Sequence, residues 1–185
     1  QVNSMNRIAV LLSVVLNLFV SSTNSFSQVF MTKDRALKLA FPDADQIDKK
    51  TVFLSDEQAK KVESIARSQI DSKLYIFYVG KKGDKTLGYA VIDTHQLRTK
   101  TETVMVIINP DGTLKEVEIL AFFEPPEHMP TQRWMQQFGG KTLDDSLWVG
   151  RGIPNITGAT ITSNALVKAI RRIMAVYNVA VKGDQ

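Results

Sequence analysis

Residues 101–123, TETVMVIINPDGTLKEVEILAFF, decide the fold of this chain. Two runs rich in β-branched and other apolar residues, 101–109 and 114–123, flank Pro110-Asp111-Gly112. Proline, aspartate and glycine between two such runs are typical of a tight turn. The stretch therefore predicts a β-hairpin, which joins two antiparallel strands.

A second pair of strands is predicted before this hairpin. Residues 74–79 are β-branched and aromatic, residues 80–84 read as a turn, and residues 86–94 form the returning strand. Because hairpins build antiparallel sheets, we expect an α+β fold in which helices pack against one face of the sheet.

Two helices are predicted upstream of the strands. Residues 32–41 form a short helix that ends before Pro42, since proline disfavours the α conformation of the residue before it. Residues 43–48 are interpreted as an acidic loop. The second helix follows Ser55, a candidate N-cap, and continues to about Ile70.

The C-terminal helix has the clearest periodicity. Its apolar residues recur at three- and four-residue spacing, namely Leu166, Val167, Ile170, Ile173, Met174 and Tyr177. Lys168, Arg171 and Arg172 fall on the opposite side. The apolar stripe would anchor the helix on the core and hold the start of the helix in place.

The residues that lead into this helix are Thr157-Gly158-Ala159-Thr160-Ile161-Thr162-Ser163. Gly158 and Ala159 let the backbone approach a ligand closely. Four hydroxyls and the free N–H groups of a helix N-terminus then face one point, which suits a phosphate. The alternative from these residues alone is an ordinary Ser/Thr N-cap with threonine neighbours.

Three segments in order carry a family resemblance: Phe122-Phe123-Glu124-Pro125-Pro126, then Arg133-Trp134-Met135-Gln136-Gln137-Phe138-Gly139-Gly140-Lys141, then the Thr-Gly-Ala-Thr segment. They resemble the FMN-binding domain family, which includes flavin subunits of the sodium-translocating quinone reductase and of Rnf-type electron-transfer complexes. The resemblance implies an FMN-binding domain over residues 73–185.

In such proteins FMN is joined through its phosphate to the threonine that follows Gly-Ala, which is Thr160 here. The resemblance therefore implies covalent FMN on Thr160 and places Glu124 near the cofactor. The other implied FMN-binding residues are Thr157, Gly158, Ala159, Ile161, Thr162 and Ser163. It also implies redox partner subunits in a membrane electron-transfer complex and a flavin transferase for maturation. The sequence shows no general base, paired nucleophile or metal cluster, which favours an electron carrier over a self-contained enzyme.

Two departures from the family pattern keep other outcomes open. Covalently flavinylated members commonly carry an aspartate three residues before the first Ser/Thr of the signature, and this place holds Pro154, followed by Asn155. After Glu124, where many members have a flexible glycine loop, this chain has Pro125, Pro126 and Pro130. Non-covalent FMN, or a flavin-free scaffold subunit that keeps the fold, are therefore alternatives.

Composition excludes several classes of cofactor and ligand. The chain has no cysteine, which excludes a thiolate-ligated iron–sulfur cluster, a c-type haem and a disulfide framework. Its two histidines, His95 and His128, are poorly spaced for zinc, and each is interpreted as a loop residue. A net charge of +4 with scattered basic residues does not indicate a nucleic-acid partner.

The N-terminus reads as an export signal. Arg7 precedes an apolar run over residues 8–20, which is shorter than the roughly 20 residues of a membrane span, and small polar residues follow. We expect residues 1–27 to be a signal peptide or an N-terminal anchor, with possible membrane contact through residues 8–27. Either places the domain outside the cytoplasm, in the periplasm or on the outer face of the cytoplasmic membrane. Residues 28–72 would form an N-terminal helical segment.

Overall fold

The computed structural model describes residues 28–183. The strands are β1 (Gln28–Val29), β2 (Gln46–Phe53), β3 (Leu74–Lys82), β4 (Lys85–Gln96), β5 (Thr101–Ile108) and β6 (Leu114–Phe122). They form one antiparallel sheet in the order β1-β6-β5-β4-β3-β2. The helices are α1 (Lys33–Ala40), α2 (Asp56–Ala66), the short α3 (Gln132–Met135) and α4 (Thr160–Ala180), with 3-10 turns at Pro126–His128 and Gln136–Phe138. The predicted α+β fold class is confirmed.

The predicted signal peptide or anchor, residues 1–27, lies outside the described residues. Within residues 28–183, no helix combines the length and the apolar composition that a membrane span needs.

The β5–β6 hairpin forms where the sequence predicted it. Gly112 in the turn has a φ of 93°, which favours glycine. The Asp111 carboxylate accepts hydrogen bonds from the backbone N–H of Thr113 at 2.8 Å and from its hydroxyl at 2.7 Å. The predicted β3–β4 hairpin also forms, with Lys82 paired to Lys85. Strands β4 and β5 pair from Tyr89↔Ile108 to Gln96↔Thr101, so a further hairpin turn lies at residues 97–100.

Both faces of the sheet are buried, and this corrects the expectation that helices pack against one face. Strand β5 places Val104, Val106 and Ile108 in one core and Met105 and Ile107 in the other. Helices α2 and α4 contribute to the first core, whereas α1 contributes to the second. A strand that is buried on both faces reads as a continuous apolar run, as residues 104–108 do.

Strand β2 was not predicted from the sequence. The predicted acidic loop at residues 43–48 ends early, because the strand starts at Gln46 and pairs with β3 as far as Phe53↔Leu74. Strand β2 forms an edge of the sheet and carries Lys49 and Lys50. Lysines are common on edge strands, where their charge discourages further pairing, and here they obscured the strand pattern.

Helix α2 begins at its predicted cap and ends earlier than predicted. The Ser55 hydroxyl accepts from the backbone N–H of Gln58 at 3.2 Å, and the Gln58 side chain accepts from the backbone N–H of Ser55 at 2.9 Å. The helix ends at Ala66 rather than near Ile70, because Arg67 takes a left-handed conformation with a φ of 51°.

Arg171 of helix α4 is buried, although the sequence placed it on the polar side of this helix. Its side chain donates to the carbonyl oxygens of Ile65 at 3.2 Å and Ala66 at 3.1 Å, at the end of α2. It also donates to the Asp144 carbonyl at 2.7 Å and lies 4.3 Å from the Trp148 ring centroid. Burial lowers the pKa of Arg171. The guanidinium therefore joins α4 to α2 and to the loop before α4.

Candidate functional site

Helix α4 starts at Thr160, in the middle of the hydroxyl-rich segment. Its N-cap is Ala159, whose methyl side chain cannot form a capping hydrogen bond. The ordinary Ser/Thr N-cap is therefore not the arrangement at this helix start. The first N–H groups of a helix have no acceptor within the helix and carry its positive dipole end, so this end of α4 suits an anion.

Gly158 gives the segment its close backbone approach. Its φ is 80°, a conformation that glycine adopts without strain, and a Cβ built there would meet no atom within 4 Å. Space beside the Gly158 backbone is therefore open to a ligand.

The four hydroxyls of the segment divide into two exposed and two buried. Thr157 and Thr160 are exposed, whereas Thr162 is 3% exposed and Ser163 is fully buried. Asn155 connects the two groups, since its amide donates to the Thr160 hydroxyl oxygen at 3.0 Å and its carbonyl accepts from the Ser163 hydroxyl at 2.9 Å. Thr160 thus presents an accessible and oriented hydroxyl at the helix start.

Two cavities flank Thr160 and Ile161. The larger, of about 530 Å³, is also lined by Asp71, His95, Gln96, Asn164, Ala165, Lys168 and Arg172. The smaller, of about 270 Å³, is also lined by Leu97, Arg98, Glu124, His128, Gly158, Ala159 and Thr162. Together they provide space of the size that small-molecule and cofactor sites occupy. Of the predicted site residues, Thr157 and Ser163 line neither of these two cavities.

One face of helix α4 forms a polar wall of the larger cavity. Thr160, Asn164, Lys168 and Arg172 recur at four-residue intervals and therefore share a face of the helix. Two of these side chains are cations, and a phosphate at the helix start would lie on the same face. The wall complements an anionic ligand.

Glu124 holds the wall of the smaller cavity. It is 5% exposed and accepts hydrogen bonds from the backbone N–H groups of Thr99 at 2.6 Å and Lys100 at 2.7 Å. Burial raises the pKa of Glu124, but these backbone donors outweigh burial and leave the pKa below its usual value. Glu124 is therefore an ionised carboxylate that fixes the β4–β5 turn through these hydrogen bonds and also lines the smaller cavity.

His95 was interpreted as a loop residue, and the structure corrects this. It lies in β4, is 8% exposed, and is held between two carboxylates. Its Nδ1 lies 2.9 Å from Asp93 Oδ2, and its Nε2 lies 2.8 Å from Glu102 Oε1. Burial lowers the pKa of His95, but the two carboxylates outweigh it and raise the pKa to about 9. His95 is therefore an imidazolium at neutral pH, beside the larger cavity.

Comparison with known proteins agrees with this geometry. Residues 99–175 match the family model described as FMN-binding domain. This segment belongs to the FMN-binding domain family. The match begins in the β4–β5 turn and ends inside α4, so it contains Glu124 and the whole of residues 157–163.

A relative from Acetobacterium woodii is 31% identical to this chain over 134 residues. It is a subunit of the Na(+)-translocating ferredoxin:NAD(+) oxidoreductase complex of that organism. The aligned region covers 64% of this chain and 64% of that relative, so the chain spans less than two thirds of its length.

The residues present at the start of α4 fit FMN. The FMN phosphate would lie at the uncapped helix N-terminus, beside the exposed Thr160 hydroxyl. The rest of the FMN molecule would have a cavity on either side of Thr160 to occupy. In the smaller one, the buried Nδ1 of His128 has no hydrogen-bond partner among the described residues, which suits a ligand with polar atoms.

Proposed function

We propose that this chain is an extracytoplasmic flavoprotein that carries electrons through FMN. The observation that carries the proposal is the exposed Thr160 hydroxyl, which lies at an uncapped helix N-terminus between two cavities, inside the family segment. Bound FMN supplies the redox chemistry, because its ring accepts and releases electrons. The side chains bind and orient it and set the local charge.

FMN is held through a phosphoester on Thr160. Thr160 is the exposed hydroxyl that begins the helix, whereas Thr162 is buried two residues further on. A flavin transferase catalyses attack of Thr160 Oγ1 on the FMN phosphorus of an activated donor, a phosphoanhydride of FMN. The P–Oγ1 bond forms, the anhydride P–O bond breaks, the activating phosphate leaves, and the hydroxyl proton passes to solvent. The flavinylated chain therefore has the composition of protein plus FMN minus one water.

The partners are redox subunits of a membrane-associated electron-transfer complex. This proposal draws support from the relative, whose name describes a subunit of an oxidoreductase complex. The location outside the cytoplasm draws support from the export-signal pattern of residues 1–27.

One observation favours a second candidate, a flavin-free scaffold subunit of such a complex. Pro154 stands where covalently flavinylated proteins commonly have an aspartate, and its carbonyl accepts from the Trp134 indole N–H at 2.8 Å. A carboxylate is therefore missing at this described position, and the amide of Asn155 orients Thr160 instead.

Production of the protein alongside a flavin transferase tests the proposal. The purified protein should be yellow, and the colour should remain with the chain after denaturation. Thr160→Val should abolish the covalent colour with the fold intact, because valine nearly conserves the shape of threonine. Thr162→Val is the matched control and should retain it.

The outcomes separate the candidates. Colour that is lost on denaturation would indicate non-covalent FMN and would overturn the ester but not the carrier function. A colourless protein that takes up no added FMN would support the scaffold function. Covalent colour that survives Thr160→Val would place the ester on another hydroxyl.

A further inference from the structure

The end of β4 and the β4–β5 turn together form part of the wall of both cavities beside Thr160. His95 and Gln96 line the larger cavity, whereas Leu97 and Arg98 line the smaller one. Position and rigidity of this turn therefore determine the shape of the space that receives FMN. Glu124 fixes the far end of the turn through Thr99 and Lys100.

The near end of the turn is fixed by a second set of contacts, centred on His95. His95 and Glu102 are directly opposite each other in the register of β4 and β5. Asp93 precedes His95 by two residues and so lies on the same face of the strand. We call Asp93, His95 and Glu102 the histidine clamp.

Glu102 depends on His95 for its hydrogen bonding. Its side chain is fully buried, and Oε1 lies 2.8 Å from His95 Nε2. The other carboxylate oxygen, Oε2, has no partner among the described residues. A buried carboxylate needs a paired cation, so the clamp is held together by the charge of the imidazolium.

Other charged and titratable groups lie near the clamp on β3, β4, β5 and α4. Asp93 lies on its own strand and Glu102 on β5, while Tyr75 on β3 interacts electrostatically with Asp93. Across the larger cavity are Asp71, Lys168 and Arg172. The two groups in direct contact with the imidazole are both carboxylates.

We propose that His95 is a positioning residue of the FMN site, whose imidazolium holds the β4–β5 turn in the conformation that binds FMN. This inference rests on the proposed function. It assigns His95 no contact with FMN and no step in electron transfer. It makes the affinity for FMN depend on protonation of the clamp.

The direction of this dependence follows from the raised pKa of His95, about 9. Below this pH the imidazolium is present and the turn is fixed. As pH rises through about 9, the proton is lost and two carboxylates are left facing a neutral ring. FMN affinity should therefore fall with rising pH, by up to about tenfold per pH unit.

The test uses the full chain produced without a flavin transferase and titrated with FMN across a pH series. Quenching of flavin fluorescence gives the dissociation constant. In wild type this constant should rise through about pH 9. In Glu102→Gln, the midpoint should move down towards the ordinary histidine value of about 6.5, because one of the two carboxylates that stabilise the imidazolium is gone.

Thr103→Val is the matched control. It removes a cross-strand hydrogen bond of similar length, 2.9 Å between the hydroxyls of Thr94 and Thr103, on the opposite face of the same strands. Its pH profile should match wild type. The flavin ring loses its own proton at alkaline pH, but this contribution is common to all three proteins and cancels in the comparison.

NMR titration of the imidazole signals gives a second readout, which needs neither Glu102→Gln nor Thr103→Val. The chain has two histidines, so His95 can be distinguished from His128 by one further substitution, His128→Asn. Because linkage is reciprocal, bound FMN should raise the midpoint of the His95 titration.

The outcomes of these titrations distinguish failure of the inference about His95 from failure of the proposed function. An unchanged pH profile in folded Glu102→Gln, or a His95 midpoint that is identical with and without FMN, would overturn the inference while the carrier function stands. Failure of wild type to bind free FMN at any pH would also overturn the inference, whereas the proposed function would be overturned only if the protein also gains no flavin when it is produced with a flavin transferase.

Discussion

At the scale of single residues, His95 makes stability depend on pH. An unfolded histidine has a pKa of about 6.5, whereas the folded protein raises the pKa of His95 to about 9. The stabilisation is therefore fully present below about pH 6.5 and is lost as pH rises through 9. We predict a loss of about 3 kcal/mol in the free energy of unfolding over this range.

Urea unfolding at a series of pH values from 6 to 10 measures this loss. His128→Asn should show the same decline, because the histidine clamp is intact in it. A free energy of unfolding that stays constant or increases between pH 6.5 and 9.5 would contradict the assignment of His95 as a buried imidazolium.

The two kinds of site residue differed in how far the sequence could predict them. Thr160 and its neighbours are contiguous, so the pattern and the resemblance placed them together. His95 and Glu102 meet through the register of two strands, which the sequence alone does not reveal. The sequence did contain an indication of this contact. Asp93 and His95 are two residues apart, so they share one face of a strand, and only a short turn separates them from Glu102.

At the scale of elements, Arg171 determines how α4 is seated. We predict that Arg171→Leu lowers the free energy of unfolding by about 3 kcal/mol or more, because buried carbonyl oxygens of α2 and of the preceding loop lose their donor. Arg172→Leu is the matched control. Its half-buried side chain donates to the Ser68 hydroxyl at 3.2 Å, so its loss should cost less than about 1 kcal/mol.

Urea unfolding at neutral pH compares the two variants. Equal losses would contradict the role given to the buried guanidinium. Since α4 carries Thr160 at its start, Arg171→Leu should also weaken FMN binding in the protein that remains folded.

Helix periodicity predicted α4 correctly, but it wrongly predicted that the side chain of Arg171 would be exposed to solvent. Leu166, Ile170 and Ile173 define an apolar stripe, and an arginine outside it reads as solvated. Arg171 is buried because the end of α2 and the loop at residues 144–148 cover that side of the helix. Local pattern does not contain this information, since it depends on what packs against the helix.

At the scale of the whole molecule, the sheet brings together residues that are far apart in sequence. The site combines the β4–β5 turn with the start of α4, and the N-terminal strands β1 and β2 close the two edges of the same sheet. The β3–β4 and β5–β6 hairpins were predictable from their turns, because their pairing is local. The edge pairings β1–β6 and β2–β3 are not, since β1 is short and β2 is charged.

The central claim concerns one bond between the chain and FMN, so mass analysis of one peptide tests it directly. Trypsin should release residues 152–168, which contain all four hydroxyls of the segment. After production with a flavin transferase, this peptide should be heavier by about 438 Da, with fragment ions that place the addition on Thr160. An unmodified peptide, or an addition on Thr157, Thr162 or Ser163, would contradict this claim.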